Sequence, residues 1–101
     1  MNTLHHSVYV IELDPAAQGD PGPGGYRRCL YVGLTGLSIE ERFHQHKSGK
    51  KSSSKVKKYG RAVAWDLCSP KNPMTYEEAK CEEQLLKLEL ERRGFRVFGG
   101  H

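Results

Sequence analysis

The sequence predicts a single α+β domain, in which a small, mainly antiparallel three-stranded sheet is flanked by helices in the order β-β-α-β-α. Short segments rich in β-branched and aromatic residues alternate with segments that carry apolar residues at helical spacing. Two of the helical segments begin at residues that cap helices. The length of 101 residues suits one small domain with one modest core, so we assign residues 1–101 to it.

A hairpin with a long tip is predicted at the start of the chain. Residues 6–13 are rich in Val, Ile and Tyr and form the first predicted strand. A Pro- and Gly-rich insert follows over about residues 14–26, and such a composition can neither continue a strand nor start a helix. Residues 27–33 are the predicted return strand.

Two helices are predicted, over residues 39–47 and over about 76–93. Each follows a hydroxyl residue that has a glutamate three positions later, which is the capping-box spacing. These pairs are Ser38 with Glu41, and Thr75 with Glu78.

The remaining segments predict a third strand and two short elements. Residues 61–68 alternate well enough for a strand in which Val63, Trp65 and Leu67 share one face. Residues 56–59 suit a short turn of helix, and residues 95–98 suit either a short terminal strand or an extended tail.

Positive charge is concentrated in a basic loop over about residues 47–61. The formal net charge is +4, but this loop alone holds seven basic residues and no acidic one. We expect it to follow a nucleic-acid backbone, although a solvated, disordered loop would have the same composition. The predicted nucleic-acid-binding residues are Lys47, Lys50, Lys51, Lys55, Lys57, Lys58 and Arg61.

Composition argues against several classes of protein. The three cysteines show no C-x-x-C spacing, which argues against a disulfide framework and a structural zinc site and favours the reducing cytoplasm. No apolar run approaches the roughly 18–20 residues that span a membrane, and no signal peptide is apparent at the start.

Five side chains offer the groups that phosphodiester cleavage needs. A phenol can hold or deprotonate water, a guanidinium matches two phosphate oxygens, an imidazole transfers protons, and a carboxylate can hold a divalent metal. Arg42 and His46 are four residues apart and share a helix face. Glu83 lies in an otherwise apolar stripe, where an unpaired carboxylate is costly. The candidates are Tyr9, Tyr31, Arg42, His46 and Glu83.

Each candidate also has an ordinary structural role. A tyrosine on a strand commonly packs half-buried, and His46 would suit the end of a helix. Arg42 and Glu83 would suit a plain ion pair between helices. These alternatives stay open at the level of single residues.

The candidates belong to five short motifs that follow one another along the chain. These are the triplets Ser7-Val8-Tyr9 and Tyr31-Val32-Gly33, the turn Gly33-Leu34-Thr35, the Arg-x-x-x-His pattern of residues 42–46, and residues 79–83, which end in glutamate. In this order and spacing they resemble the GIY-YIG nuclease family, over residue 8 to about residue 94.

The resemblance implies metal-dependent DNA cleavage, with Mg²⁺, or Mn²⁺ in its place, held by Glu83. Glu82 is the fallback ligand, because the register of this helix against the family pattern is open by one position. The tail over residues 95–101 lacks the asparagine that many members have there.

The resemblance also implies roles for the other site residues. Tyr9 would be the general base or would orient the water, and Tyr31 would position water or phosphate. Arg42 would stabilise charge around phosphorus, and His46 would transfer a proton or contact phosphate. Which group takes the proton from water differs among members and stays open.

Two hypotheses follow for the function. The first is a small DNA endonuclease, structure-specific in repair or recombination, or restriction-like. The alternative is a catalytically inactive nucleic-acid-binding module with the same fold. We expect no second domain for target recognition within residues 1–101, so the expected partners are DNA and either a second copy of the chain or a separate targeting protein.

Overall fold

A four-stranded mixed sheet forms the centre of the protein in the computed structural model, which describes residues 4–19, 23, 28–49 and 52–99. Its strands are β1 (Ser7–Leu13), β2 (Cys29–Thr35), β3 (Gly60–Val63) and β4 (Arg96–Gly99), in the order β3-β1-β2-β4. β1 is antiparallel to β2 and β3, whereas β4 is parallel to β2. The predicted α+β class is confirmed.

The prediction of three strands is wrong by one. The tail forms β4, in which Arg96 pairs with Cys29 and Gly99 pairs with Val32. The side chain of Val97 is buried against the same core as Leu90, so apolar packing as well as backbone hydrogen bonding holds this strand in place.

The third strand is shorter than predicted and ends at Val63. The amides of Leu67 and Cys68 both donate to the carbonyl of Ala64, which closes a turn and takes the chain out of the sheet. Leu67 is buried, but Trp65 is 56% exposed. The turn therefore separates residues that strand alternation had placed on one face.

The helices are α1 (Ile39–Ser48), α2 (Ser54–Tyr59) and α3 (Tyr76–Arg92), which differ from the predicted bounds by one or two residues. Ser38 caps α1 by accepting from the amide of Glu41, and Thr75 and Glu78 form a reciprocal capping box on α3. Gly49 ends α1 with a left-handed backbone, φ 89°, which glycine adopts without a steric penalty.

The two faces of the sheet pack against different helices. Successive strand residues point to opposite faces. The face with Val8, Val10 and Val32 packs against α3 through Leu86 and Leu90. The opposite face, which includes Tyr9 and Ile11, packs with Val56 of α2 and partly buried residues of α1. The candidate site is on this second face.

Part of the predicted insert and of the basic loop lies outside the described residues. The described start of the insert is a short 3-10 helix, Pro15–Gln18, capped by Asp14. Most of the insert tip, and Lys50 and Lys51 of the basic loop, are not described. Among the described residues, no helix is both long and apolar enough to cross a bilayer.

The α3 core contact predicts a large difference between two leucines on that helix. Leu90 is fully buried, whereas Leu88 is 50% exposed. Leu90→Ala should lower the free energy of unfolding by about 2–5 kcal/mol through lost burial and a residual cavity. The matched control Leu88→Ala should change it by less than about 1 kcal/mol. Denaturant unfolding monitored by circular dichroism measures both, and equal losses would contradict the packing described.

Candidate active site

The hairpin of β1 and β2 brings the two predicted tyrosines together. Tyr9 pairs with Gly33 and Tyr31 pairs with Ile11, so both phenols lie on the face that α1 covers. Their ring centroids are 6.4 Å apart. The His46 ring lies 6.1 Å from the first and 5.6 Å from the second, so the three rings form one cluster.

Gly33 leaves the space that the Tyr9 hydroxyl occupies. A Cβ added to Gly33 would lie 2.5 Å from Tyr9 Oη and 2.6 Å from Cζ, closer than real contacts allow. The second triplet therefore needs glycine for a steric reason. The hydroxyl of its cross-strand partner fills the volume of the missing side chain.

His46 is fully buried, and both of its ring nitrogens make hydrogen bonds. The backbone N–H of Ser53 donates to Nδ1 at 3.0 Å, so Nδ1 carries no proton. In a neutral imidazole the proton is then on Nε2, which donates to Tyr9 Oη at 2.9 Å. Burial, with the nearby Arg42 charge, lowers the pKa of His46 to about 4, so the ring is neutral at physiological pH.

Tyr9 is a phenol in the free protein. Burial raises its pKa far above the usual value, and the neighbouring Tyr31 and the Glu83 charge raise it further. Arg42 opposes this shift through its charge and a hydrogen bond. Burial likewise raises the pKa of Tyr31, which Arg42 lowers and Glu83 raises. A positive charge near the site therefore favours ionisation of either phenol, and a negative charge opposes it.

Arg42 lies one helical turn before His46 on α1, as the spacing predicts. Its Nη1 donates to Gln45 Oε1 at 3.2 Å. Its charge acts on Tyr9, Tyr31 and His46 together, which places the guanidinium within range of all three groups.

Glu83 lies on α3, beside a part of β2 that has no described neighbour from β4. The described part of β4 ends at Gly99, opposite Val32, so β2 continues through Gly33 without it. One turn along α3 from Glu83, the Lys87 ammonium donates to the Gly99 carbonyl at 2.9 Å. Glu83 is buried, with only 6% of the residue exposed, and its charge raises the pKa of both tyrosines.

Glu82, the fallback ligand, points to the other side of α3. It accepts from Ser69 Oγ at 2.6 Å and forms an ion pair with the ammonium of Lys71 at 3.5 Å. Of the two adjacent glutamates, only Glu83 appears among the groups that shift the tyrosine pKa values.

The donor set fits a divalent cation bound through a single carboxylate. Within the described ranges, no three His, Cys, Asp or Glu side chains converge as a metal cluster. Mg²⁺ commonly uses one or two carboxylates and completes its shell with waters and substrate phosphate. Glu83, buried beside the tyrosines, offers one such oxygen ligand. Tetrahedral zinc needs more protein ligands than converge here.

The predicted basic residues divide into two groups. Lys47 donates to the carbonyls of Lys57 and Gly60, and Lys55 donates to the carbonyl of Ala17, so these two ammonium groups brace the fold around α2. The other described members are exposed on α2 or next to it. They are Lys57, Lys58 and Arg61, the last of which is ion-paired with Asp14 at 2.9 Å.

The functional group that the sequence did not reveal is the Ser53 backbone amide. It fixes the His46 tautomer from the start of α2, seven residues along the chain. Because the donor is a backbone N–H, the type of residue at this position does not reveal it. Only the polar segment after Gly49, which allows the chain to turn back over α1, was a signal in the sequence.

The class of this domain follows from a comparison with family models. The family model described as the GIY-YIG catalytic domain matches residues 5–95. The chain belongs to this family, whose members are endonucleases. A search of curated proteins found no match, and neither did a search of solved structures.

The buried neutral His46 predicts a loss of stability in mild acid. In the unfolded state His46 takes up a proton near pH 6.5, whereas in the folded state it does so only near pH 4. The contribution of neutral His46 to the free energy of unfolding is therefore fully present above pH 6.5. The free energy of unfolding falls by up to about 3 kcal/mol as the pH drops to 4. Denaturant unfolding at pH 7.5, 5.5 and 4.5 should show this slope.

The matched controls are two histidine variants on α1. His46→Gln should lower stability at neutral pH but remove this part of the slope. His44→Gln, at an exposed position of the same helix, should retain the slope. A slope that His46→Gln leaves intact would show that His46 is not the group responsible.

The contact at Gly33 predicts a steric penalty. Gly33→Ala should lower the free energy of unfolding by about 1–3 kcal/mol, because a methyl group must displace the Tyr9 ring. Gly36→Ala is the control, since its Cβ would meet nothing closer than 3.5 Å. Equal unfolding midpoints for the two variants would mean that Gly33 is not sterically required.

Proposed function

We propose that this protein is a divalent-metal-dependent endonuclease that hydrolyses phosphodiester bonds in DNA. The observation that supports this most directly is the hydrogen-bonded chain from the Ser53 amide through His46 to Tyr9 Oη. A neutral imidazole that donates to the phenol oxygen would also stabilise that oxygen when it carries negative charge. Arg42 and Glu83 complete a set that matches the needs of phosphoryl transfer.

The tautomer of His46 limits which protons this ring can accept. Its Nδ1 lone pair is used by the Ser53 amide and its Nε2 already bears a proton, so the ring cannot accept the proton of Tyr9 in this arrangement. We assign His46 as a hydrogen-bond donor that stabilises negative charge on Tyr9 Oη. Tyr9 is then the group that takes the proton from the attacking water, once it is ionised.

The high pKa of Tyr9 explains why this chemistry needs added positive charge. The Glu83 carboxylate raises the phenol pKa and only Arg42 opposes it among the groups that act on Tyr9. A divalent cation held by Glu83 would supply the missing positive charge beside the phenol and the phosphate. The Arg42 guanidinium would bind phosphate oxygens through its fork and stabilise charge as it develops.

The exposed lysines of α2 would contribute binding through the phosphate backbone. Lys57 and Lys58 are on the helix that follows the Ser53 amide, so they are close in sequence to the site. Phosphate contacts of this type carry no sequence information and weaken with salt. We therefore propose that the protein recognises DNA by its structure. We further expect a homodimer or a separate targeting protein. A cytoplasmic location and a role in repair or restriction are also expected.

Cleavage assays with adjacent glutamate variants test this function. Labelled duplex, flap, fork and four-way junction DNA are incubated with Mg²⁺, Mn²⁺ or EDTA. Wild type should cut only with metal, and Glu83→Gln and Arg42→Ala should each lower the rate by about 100-fold or more. Glu82→Gln should cut like wild type, because Glu82 is bonded to Ser69 and Lys71 on the other side of α3.

The outcome separates the two functions that the fold allows. Full activity in a folded Glu83→Gln variant would refute the metal assignment. Salt-sensitive binding by wild type with no cutting under any metal would instead identify a nucleic-acid-binding module that keeps the family fold.

A further inference from the structure

A second cluster of aromatic and basic side chains lies at the start of α3. The ring of Tyr76 is on the surface, and this residue is 47% exposed. The Lys80 ammonium lies 5.6 Å from the ring centroid. The imidazole of His6 meets the same ring edge-on, with centroids 5.3 Å apart and an interplanar angle of 66°.

The exposed side chains of this cluster lie one to two helical turns before the buried Glu83 on α3. Tyr76, Lys80 and Glu83 are at positions i, i+4 and i+7 of α3 and so share one face of that helix. Lys80 is one turn from the carboxylate, and Tyr76 is about 10 Å from it along the helix axis. Because a DNA strand has one phosphate for each 3.4 Å or so of axial rise, this corresponds to about three nucleotides.

His6 joins the cluster at the open end of the hairpin. It precedes Ser7, which pairs with Thr35, and its Nε2 lies 3.5 Å from the place where a Cβ of Gly36 would be. The absence of a side chain at Gly36 leaves this edge of the imidazole uncovered on that side. The backbone N–H and C=O of His6 exchange hydrogen bonds with Met74, two residues before Tyr76, which holds the imidazole beside the start of α3.

The other nitrogen of His6 indicates which edge is the donor. Nδ1 is buried and has no hydrogen-bond partner among the described residues. A buried N–H without an acceptor is rarer in proteins than an unused acceptor, so the proton belongs on Nε2. His6 then has an N–H on Nε2, and it contacts the same Tyr76 ring as the Lys80 ammonium. Two donors beside an exposed ring suit a phosphate and a base.

We propose that Tyr76, Lys80 and His6 form a nucleotide-binding subsite of this nuclease. An unpaired base stacks on the Tyr76 ring, and Lys80 with His6 Nε2–H binds the phosphate of the same strand. The base must be unpaired because bases within a duplex are stacked on each other, whereas a single-stranded base offers its face to an aromatic ring. This inference rests on the proposed function and assigns its substrate class, DNA with a single-stranded arm near the cleaved bond.

Binding measurements in EDTA test the subsite without cleavage. Glu83→Gln is the background, and the probes are a forked DNA and a blunt duplex of the same sequence. The fork has one 2-aminopurine in its unpaired arm, placed in turn at each of the first few nucleotides. Fluorescence anisotropy gives the affinities, and quenching of 2-aminopurine reports stacking.

The variants separate stacking from charge and from general damage. Tyr76→Leu should weaken fork binding by about 5-fold to about 100-fold, abolish the quenching and leave duplex binding unchanged. Tyr76→Phe should bind the fork like the parent, because the ring is kept. Lys80→Gln should weaken fork binding and lower the slope of log K against log salt by about one.

Two surface residues away from the cluster provide matched controls. Trp65→Leu removes an aromatic ring that is 56% exposed, and Lys71→Gln removes an exposed lysine on the other side of α3. Both should bind the fork like the parent. Thermal unfolding of Tyr76→Leu checks that the variant is folded, and Tyr76→Phe and Lys80→Gln decide the matter if it is not.

Three results would overturn the subsite. They are unchanged fork binding by folded Tyr76→Leu, an equal loss on fork and duplex, and a loss in Tyr76→Phe as large as in Tyr76→Leu. Failure of the proposed nuclease function looks different, because wild type would then cut no DNA with any metal. The EDTA measurements do not depend on that result.

Discussion

The hydrogen bond between Tyr9 Oη and His46 Nε2 joins the sheet to α1 inside the protein, where both residues are almost inaccessible to solvent. Two polar groups can be buried there only because each satisfies the other and Ser53 satisfies the remaining nitrogen. Gly33 provides the space for the hydroxyl. Two hydrogen bonds of one imidazole therefore link the hairpin, α1 and the start of α2.

The same burial sets the protonation states of His46 and Tyr9. Desolvation keeps His46 neutral and Tyr9 protonated, so both groups are uncharged at neutral pH. Arg42 and Glu83 act on the phenols with opposite signs. A cation and a phosphate that enter together would change this balance at the place where the proton must move. Stability and reactivity thus follow from the same low-dielectric environment.

Charged groups act on the candidate site from both faces of the sheet. α3 packs on the face opposite the tyrosines, yet the charge of Glu83 raises the pKa of both phenols. Tyr76 and Lys80 share a helix face with Glu83 at the start of α3. Basic residues of α2 lie on the tyrosine side.

The sequence by itself determined the features that depend on neighbours along the chain. Helix starts follow from Ser38 and Thr75, the hairpin follows from its strand composition, and the i, i+4 spacing of Arg42 and His46 placed both on one face of α1. Only the tertiary structure decided which glutamate faces the tyrosines and which nitrogen of His46 bears the proton. It also decided that the tail pairs with β2 and that Trp65 turns outward. These outcomes depend on contacts between residues distant in sequence or on backbone donors, and neither leaves a periodic pattern in the chain.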